Sequence, residues 1–276
     1  MYLAEHSGLI SASSRDLDNF VIQRPTTIEE AAVLLADMDS NPVAYAGGTD
    51  LVAAFREGKT IGTLVWLKGV KDLQEISISN DILRIGALVT LGEGSDSDLI
   101  NIVPGFKKAW GQIANIRIRF SATIGGNLMA RRTGYEMSIL LSALGAKINL
   151  VNGKDTVSIT PEELWEHPGL GQSLLTSIDI PLEGKPALDY ERSMRPLVTQ
   201  AVVLRGGYDG SLGRAVIATR YLRPKIFEFS GNTSNLAEVY KNLPDDFGDP
   251  LLDNAYLRSL APIFLERQLA RLAGDA

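Results

Sequence analysis

Apolar residues recur at helical spacing in some segments of the chain and in short unbroken runs in others, which predicts helices interleaved with strands. The first helical pattern places four apolar residues on one face: Ile28, Ala31, Ala32 and Leu35. Thr27 and Glu30 form the capping-box pattern at its start, and Pro42 breaks the pattern after about Met38. The segment therefore predicts an amphipathic helix.

Short apolar runs between the helical patterns predict buried strands. They cover residues 20–22, 43–46, 63–67, 82–85, 146–151, 156–159 and 174–180, with 73–78 as a weaker candidate. Further helices are predicted at 51–56, at 106–114, from Gly134 to Gly145 and from Thr160 onward. Asn152-Gly153 is typical of a hairpin turn. This alternation indicates α/β subdomains.

The pattern changes at Gly184-Lys185-Pro186, where we expect a domain boundary. Three strands are predicted beyond it, at 188–194, 198–205 and 212–220, with Asp209-Gly210 in the last turn. Helices follow at 233–242 and 253–273. The second has an apolar stripe: Leu257, Leu260, Ile263, Phe264 and Leu272. We therefore expect an extension (1–19), a main domain (20–185) and an α+β C-terminal domain (186–276).

Two Gly-Gly runs, about 75 residues apart, follow apolar segments. The first spans 44–51 and reads Ala44, Tyr45, Ala46, Gly47, Gly48, Thr49, Asp50 and Leu51; the second reads Thr123, Ile124, Gly125, Gly126 and Asn127. Glycine lets main-chain amides approach an anion without a Cβ in the way. A single run of this kind is most often only a tight turn. The pair predicts two backbone cradles on one pyrophosphate, the first reinforced by the start of the helix at 51–56.

Composition narrows the classes of function. With 45% apolar and 22% charged residues the chain is that of an ordinary soluble globular protein. A net charge of −6 argues against a nucleic-acid partner. No apolar run is long enough for a membrane span, and no basic-then-apolar start indicates a secretory signal, so we expect a cytoplasmic protein.

Several catalytic chemistries are excluded for this sequence on its own. It has no cysteine, so it cannot build a disulfide, an iron–sulfur cluster or a thiolate zinc site. Its two histidines, His6 and His167, lack metal-ligand spacing and are expected at the surface. Arg117, Arg119, Arg131 and Arg132 form a basic cluster that is either a solvated surface or faces a phosphate or a partner. We therefore expect any reactive group to be supplied by a cofactor or a partner and not by this chain.

The two Gly-Gly runs resemble the paired flavin-binding signatures of the molybdenum hydroxylase family. The resemblance rests on residues 46–51 and 123–128. It continues through Leu141-Ser142-Ala143-Leu144-Gly145-Ala146-Lys147 and Asp253-Asn254-Ala255-Tyr256-Leu257-Arg258. They are similar to the FAD-carrying medium subunit of the carbon monoxide dehydrogenase and 4-hydroxybenzoyl-CoA reductase types, and to the middle segment of xanthine dehydrogenase. The likeness covers nearly the whole chain from Phe20.

The resemblance implies an α+β protein with a PCMH-type FAD-binding domain of two α/β subdomains and a C-terminal α+β domain with a three-stranded antiparallel sheet. FAD would lie in the cleft between them. The backbone at 46–50 and at 125–127 would hold the pyrophosphate, and the side chains of Thr123 and Asn127 would add hydrogen bonds. Ile113, Ala114 and Leu175 would lie along the cofactor.

The sequence departs from the family pattern at three places. Glu136 stands where the family usually has Asp, which keeps a carboxylate for the ribityl or ribose hydroxyls. Arg131-Arg132-Thr133 replaces small residues, and Arg192 stands where a Lys often approaches the flavin. Arg and Lys differ in geometry although both carry a charge.

The resemblance implies an electron-transfer role with no catalytic side chain in this chain. Substrate would be oxidised at a molybdenum–pterin cofactor in a large subunit, and two 2Fe–2S clusters in a small subunit would pass electrons to FAD here and on to an external acceptor. The resemblance also implies a heterotrimer, either single or as a dimer of heterotrimers. Two other classes stay open: a stand-alone FAD-dependent oxidase or reductase, and a non-catalytic α/β binding or assembly protein.

Overall fold

A computed structural model gives the fold and describes residues 19–166, 172–193, 197–207, 212–220, 223–230, 249 and 252–274. Four predicted features lie outside the described residues: most of the N-terminal extension, the Asp209-Gly210 turn, the helix at 233–242 and both histidines. The remaining elements form three sheets in chain order.

The first sheet is parallel and has the strand order β1-β3-β2. It contains β1 (Val21–Gln23), β2 (Pro42–Tyr45) and β3 (Thr63–Trp66), joined by α1 (Ile28–Ala36) and α2 (Thr49–Arg56). The two crossovers run in opposite directions across the sheet, so right-handed connections place the two helices on opposite faces. Ala31, Ala32 and Leu35 of α1 pack against Val65 in one buried cluster.

Both helices begin close to their predicted starts. Thr27 Oγ1 accepts from the Glu30 amide, as expected of a capping box, but Glu30 reaches back to the amide and hydroxyl of Thr26 rather than to Thr27. Helix α1 ends at Ala36, two residues before the predicted end, and a short 3-10 turn at Met38–Ser40 follows it.

The second sheet is antiparallel, with the order β4-β5-β8-β6-β7. Its strands are β4 (Ile76–Ser79), β5 (Ile82–Gly86), β6 (Lys147–Asn152), β7 (Asp155–Ile159) and β8 (Leu174–Pro181). The predicted hairpin is confirmed, because Asn152 pairs with Asp155 across the turn. The strand predicted weakly at 73–78 begins only at Ile76.

The helices that accompany this sheet are α3 (Leu91–Asp96), α4 (Phe106–Trp110), α5 (Ile116–Arg119), α6 (Ile124–Met129), α7 (Met137–Ala143) and α8 (Pro161–Glu166). Every residue of α7 is buried, which matches its position between the second sheet's core cluster and the C-terminal sheet. Trp110 is fully buried and donates its indole N–H to the Leu91 carbonyl over 2.9 Å. The predicted helix at 106–114 is wrong in length, since α4 stops at Trp110.

The third sheet forms the C-terminal layer and has four strands rather than the predicted three. Its order is β12-β11-β10-β9, with β9 (Ala187–Arg192), β10 (Val198–Arg205), β11 (Leu212–Thr219) and β12 (Lys225–Ser230), all antiparallel. Strand β12 is the one the sequence pattern missed. The α+β fold class with a C-terminal α+β layer is confirmed.

The last helix, α9 (Asn254–Ala273), covers this sheet. Its buried face differs from the predicted stripe, because Ile263 is 43% exposed. The residues that are buried are Leu257, Ala261, Phe264, Leu265, Gln268 and Leu269. Gln268 belongs there because its side chain donates to the Asp189 and Gln200 carbonyls and accepts from the Gln200 side chain.

Candidate functional site

A cleft of about 870 Å³ separates the first sheet from the helices of the second and brings the two Gly-Gly runs together. Most of the residues predicted for cofactor binding line it: Ala44, Tyr45, Ala46, Gly47, Gly48, Thr49, Asp50, Leu51, Ile113, Ala114, Thr123, Gly125, Gly126, Asn127, Glu136 and Leu175. Two predicted residues do not line it. Ile124 is fully buried in the core, and Arg192 lies behind Glu136.

The first run turns from the end of β2 into α2 at the edge of the cleft. Gly48 has φ +73° and is the N-cap of α2, so the left-handed backbone there suits glycine. The amides of Thr49, Asp50 and Leu51 open the helix and have no intrahelical acceptor. Among the described residues, none accepts a hydrogen bond from the amides of 47–51. This helix start therefore presents free donors and a positive dipole end to the cleft.

Gly47 is required by packing inside the protein. A Cβ on Gly47 would collide with the backbone carbonyl of Ser121. The first run therefore packs against the segment that leads into the second run, which is one reason for glycine at this position; close approach of an anion there stays a prediction. Gly48 is required for its conformation instead.

The second run begins a helix rather than forming an open loop. Thr123 is the N-cap of α6, and its hydroxyl accepts from the Gly126 amide over 3.0 Å. The amides of Ile124 and Gly125 donate to the Val89 and Ala87 carbonyls over 2.9 Å, and Asn127 N donates to Thr123 O over the same distance. These amides already have acceptors within the protein, and the backbone cradle predicted at 125–127 stays a prediction.

Side chains supply the second run's polar groups to the cleft. The Thr123 hydroxyl accepts the capping bond, which leaves its proton available to a ligand. Asn127 Oδ1 is buried and has no hydrogen-bond partner, and so is Ser173 Oγ at the same cleft. Buried polar atoms of this kind are normally satisfied, so these two are open to a polar ligand or a water in the cleft. No pattern in the sequence indicated Ser173.

The apolar wall of the cleft includes Ile113 and Leu175, both buried. Ala114 also lines the cleft, and its backbone has φ +57°. A positive φ is unfavourable for alanine, and such positions are concentrated at ligand sites. Ala114 was predicted to be the last residue of a helix, but α4 ends at Trp110. Ala114 lies instead in the segment between α4 and α5.

Glu136 lies at the N-terminus of α7 and is buried, 7% exposed. The Tyr190 hydroxyl of β9 donates a hydrogen bond to Glu136 Oε1, and Arg192 Nη1 lies 3.3 Å from the same oxygen. Burial, together with the negative charge of Glu136, raises the pKa of Tyr190 well above its usual range. The carboxylate that lines the cleft is therefore held from behind by the C-terminal sheet.

Asp50 of the first run is held by two residues that precede α7. Arg132 Nε lies 2.5 Å from Asp50 Oδ1, and the Tyr135 hydroxyl donates to the same oxygen over 3.2 Å. Burial and then the Asp50 charge raise the pKa of Tyr135. Arg132 thereby offsets the one negative charge at the amide-rich start of α2.

The other members of the basic cluster do not face the cleft together. Arg119 donates from Nη1 to the Gly111 carbonyl over 2.5 Å, and Arg117 is exposed. Burial lowers the pKa of Arg131. No group of three or more potential metal ligands occurs in the described ranges. Within the same ranges, no helix is long and apolar enough to cross a membrane.

Comparison with known sequences places most of this region in one family. The family model described as the FAD binding domain in molybdopterin dehydrogenase matches residues 18–183. Over 166 residues the chain is 30% identical to caffeine dehydrogenase subunit beta of Pseudomonas sp. (strain CBB1), covering 58% of this chain and 56% of that protein. Over 173 residues it is 28% identical to the carbon monoxide dehydrogenase medium chain of Afipia carboxidovorans, covering 59% of each. The matched segment thus spans little more than half of these relatives.

Solved structures share the fold over a longer stretch. A chain of reconstituted CO dehydrogenase from Oligotropha carboxidovorans superimposes with a TM-score of 0.81 at 22% identity, covering 95% of this chain and 100% of that one. A chain of quinoline 2-oxidoreductase from Pseudomonas putida 86 gives 0.76 at 23% identity, covering 95% and 99%. At these identities the likeness concerns the fold alone. The family match over residues 18–183 is what assigns the chain: it belongs to the family of FAD-binding domains of molybdopterin dehydrogenases.

Proposed function

We propose that this chain is the electron-transfer flavoprotein subunit of a molybdenum-dependent dehydrogenase. Electrons from substrate oxidation at a molybdenum–pterin cofactor in a large subunit would reach this chain through two 2Fe–2S clusters of a small subunit. Bound FAD would supply the redox chemistry, and the electrons would pass from it to an external acceptor. The chain's own residues bind the cofactor, orient it and shield it from water.

The free amides at the start of α2 are the observation that carries the proposal. They open onto a cleft that also contains an unsatisfied Asn127 Oδ1 and an unsatisfied Ser173 Oγ. A pyrophosphate accepts hydrogen bonds from such amides and is stabilised by the helix dipole. The Thr123 hydroxyl and Asn127 side-chain amide would donate from the opposite side. The pyrophosphate would thus be bound by backbone amides on one wall of the cleft and by side chains on the other.

The rest of the cleft fits the remaining parts of FAD. Glu136 offers a carboxylate to ribityl or ribose hydroxyls, and its position is fixed by Tyr190 and Arg192. Ile113, Ala114 and Leu175 offer the apolar wall that a planar ring system requires. No side chain here is proposed as a catalytic acid or base.

The subunit arrangement is proposed from the relatives. Each of those two relatives is named as one subunit or chain of a dehydrogenase. We therefore propose a heterotrimer with a large molybdenum subunit and a small iron–sulfur subunit, either single or as a dimer of heterotrimers, in the cytoplasm. Within this chain we propose that residues 20–185 form the FAD-binding domain and 186–276 the second domain, with 1–19 as an extension.

The proposal is tested by purifying the chain with whatever co-purifies and measuring bound flavin and subunit masses. One FAD per chain with a larger and a smaller partner supports it. A flavin-loaded lone chain that oxidises a substrate by itself would favour the stand-alone oxidase or reductase instead. A chain that takes up no added FAD would contradict both.

A sharper test replaces Asn127 by Leu. Removing a side chain whose buried Oδ1 has no partner leaves the free energy of unfolding nearly unchanged or slightly higher. Loss of the hydrogen bond that Asn127 Nδ2 would donate to the charged cofactor weakens FAD binding by about 10- to 100-fold. Ser142→Ala is the matched control, because Ser142 Oγ is also buried and unsatisfied but lies in α7 outside the cleft lining. Unchanged FAD affinity in Asn127→Leu would remove the second run from the site.

A further inference from the structure

The first sheet has one covered face and one face that is only partly covered. Strand residues alternate between faces, so Val65 points to α1 while Leu64 and Trp66 point to the other side. Helix α2 lies over that second side but contributes no buried residue. The loose cover leaves a pocket of about 970 Å³, here called the sheet-face pocket, whose wall includes Ile22, Leu64 and Trp66.

The sheet-face pocket is distinct from the cleft, although the two adjoin. Of the residues that the structure describes, the two share only five: Tyr45, Ala46, Gly47, Leu88 and Thr123. The free amides of Thr49 and Asp50 and the carboxylate of Glu136 belong to the cleft alone. A ligand in the sheet-face pocket would therefore meet a different set of groups from the cofactor.

Partly exposed aromatic side chains line this pocket. Phe20 and Phe55 stack with ring centroids 6.3 Å apart, and both are half-buried. Trp66 is also half-buried and carries the Arg24 guanidinium 4.7 Å from its ring centroid. Phe120, which is 73% exposed, stands at the edge. Such surfaces favour a planar ring that can stack between them.

Three cations surround the same space. Arg24, Arg56 and Lys68 line the pocket, and in the described part of the chain none of them pairs with a carboxylate. Glu93 is the one acidic residue among the described residues of the lining, and its carboxylate accepts hydrogen bonds from the amide and hydroxyl of Thr90 at 2.8 and 2.9 Å. The pocket is therefore locally positive, although the net charge of the protein is −6, and an anionic ligand would neutralise it.

We propose that the sheet-face pocket binds a nucleoside phosphate, with the base against the aromatic residues and the phosphates among Arg24, Arg56 and Lys68. The combination of flat apolar faces and several cations in one cavity matches both halves of such a ligand. The site is additional to the proposed FAD site and does not depend on it.

The test uses flavin-saturated protein, so that the cleft is filled, and titrates it with ADP by calorimetry. We expect saturable binding with quenching of Trp66 fluorescence that disappears in Trp66→Phe. Adenosine alone and inorganic pyrophosphate alone should each bind at least about tenfold more weakly than ADP, because each lacks one half of the contacts. Flavin absorbance in the same samples reports separately on the proposed function.

Substitutions then locate the site. Arg24→Gln and Lys68→Gln should each weaken ADP binding by about tenfold, since each removes one charged contact. Lys154→Gln, in the exposed β6–β7 turn, should leave it unchanged. Absence of ADP binding, equal affinity for pyrophosphate and ADP, or ADP binding that is insensitive to both substitutions would overturn the proposal. Loss of flavin from Arg24→Gln would also overturn it, because the pocket would then belong to the FAD site.

Discussion

The Tyr190 hydroxyl of β9 donates a hydrogen bond to the Glu136 carboxylate at the N-terminus of α7, so the C-terminal sheet fixes a carboxylate that lines the cleft. Both side chains are buried, and Arg192 adds a second, longer contact at 3.3 Å. The C-terminal layer is therefore part of the site's construction, although none of its described residues lines the cleft.

The first prediction concerns this hydrogen bond. Tyr190→Phe removes the donor and leaves a buried carboxylate oxygen without its shortest partner, which should destabilise the protein by about 1–3 kcal/mol. Urea unfolding followed by circular dichroism measures this change. Tyr256→Phe, at an exposed position of α9, serves as the control and should change stability little. Equal stability of the two variants would mean that the bond contributes nothing net.

The second prediction follows from the raised pKa of Tyr190. Burial and the Glu136 charge keep the folded phenol protonated, whereas an unfolded tyrosine ionises near about pH 10. This contribution to stability is present below about pH 10 and is lost as the pH rises above it. Native wild type and Tyr190→Phe should therefore show the same phenolate absorbance up to about pH 11, while in denaturant the variant should titrate one tyrosine fewer.

The third prediction separates packing from ligand contact at the first Gly-Gly run. Gly47→Ala places a Cβ against the Ser121 carbonyl, so the two segments must move apart, and we expect a loss of about 2 kcal/mol or more in stability. Gly134→Ala is the matched control, because it also lies at the cleft and its Cβ would meet nothing nearer than 3.7 Å. A stable Gly47→Ala protein that had only lost flavin would instead support close approach of an anion at Gly47.

Local signals in the sequence were sufficient for much of the fold. The Thr160–Glu163 capping box and the Asn152-Gly153 hairpin depend on residues within a few positions of each other, and both are present. The paired Gly-Gly runs correctly indicated two segments at one cleft. Their chemistry could not be read in the same way, because the acceptors for Ile124 and Gly125, the carbonyls of Val89 and Ala87, lie more than thirty residues earlier in the chain.

The features that the sequence analysis missed depend on contacts between residues far apart in the chain. Strand β12 was missed because Ile226 and Phe227 both pack against buried clusters, so the strand lacks a clean alternation of apolar and polar residues. Tyr190 was not identified, because its partner Glu136 lies 54 positions away and no local pattern connects them. The helix predicted at 106–114 stops at Trp110, and Ala114 at its predicted end has a positive φ that no local pattern indicates.

The fourth prediction tests the charge balance at the start of α2. Arg132→Gln leaves Asp50 without its cation beside the free amides, so an anionic cofactor should bind about 3- to 10-fold more weakly, the modest size reflecting partial exposure of both side chains. Equilibrium titration of apoprotein with FAD measures the change. Arg117→Gln, an exposed member of the same basic cluster, should have no effect. Equal losses in both variants would point to general electrostatics rather than to the Asp50 pair.

The last prediction concerns acid stability and the second sheet. Asp179 of β8 loses some solvent by burial, but hydrogen bonds from Arg84 at 2.7 Å and from Asn149 at 2.9 Å hold its pKa below the ordinary value. A lowered pKa in the folded state contributes stability above the unfolded pKa, and that contribution is lost as the pH falls through the folded pKa.

Asp179→Asn should therefore lower the free energy of unfolding at about pH 7 by no more than about 1 kcal/mol, because Arg84 is more than half exposed. At about pH 3 the difference between variant and wild type should shrink, since the wild-type carboxylate is then partly protonated. Denaturant unfolding at the two pH values measures both. Asp155→Asn, at the exposed end of β7, is the control. A deficit in Asp179→Asn that stays constant with pH would show that shape and hydrogen bonding, rather than charge, account for the contribution of Asp179.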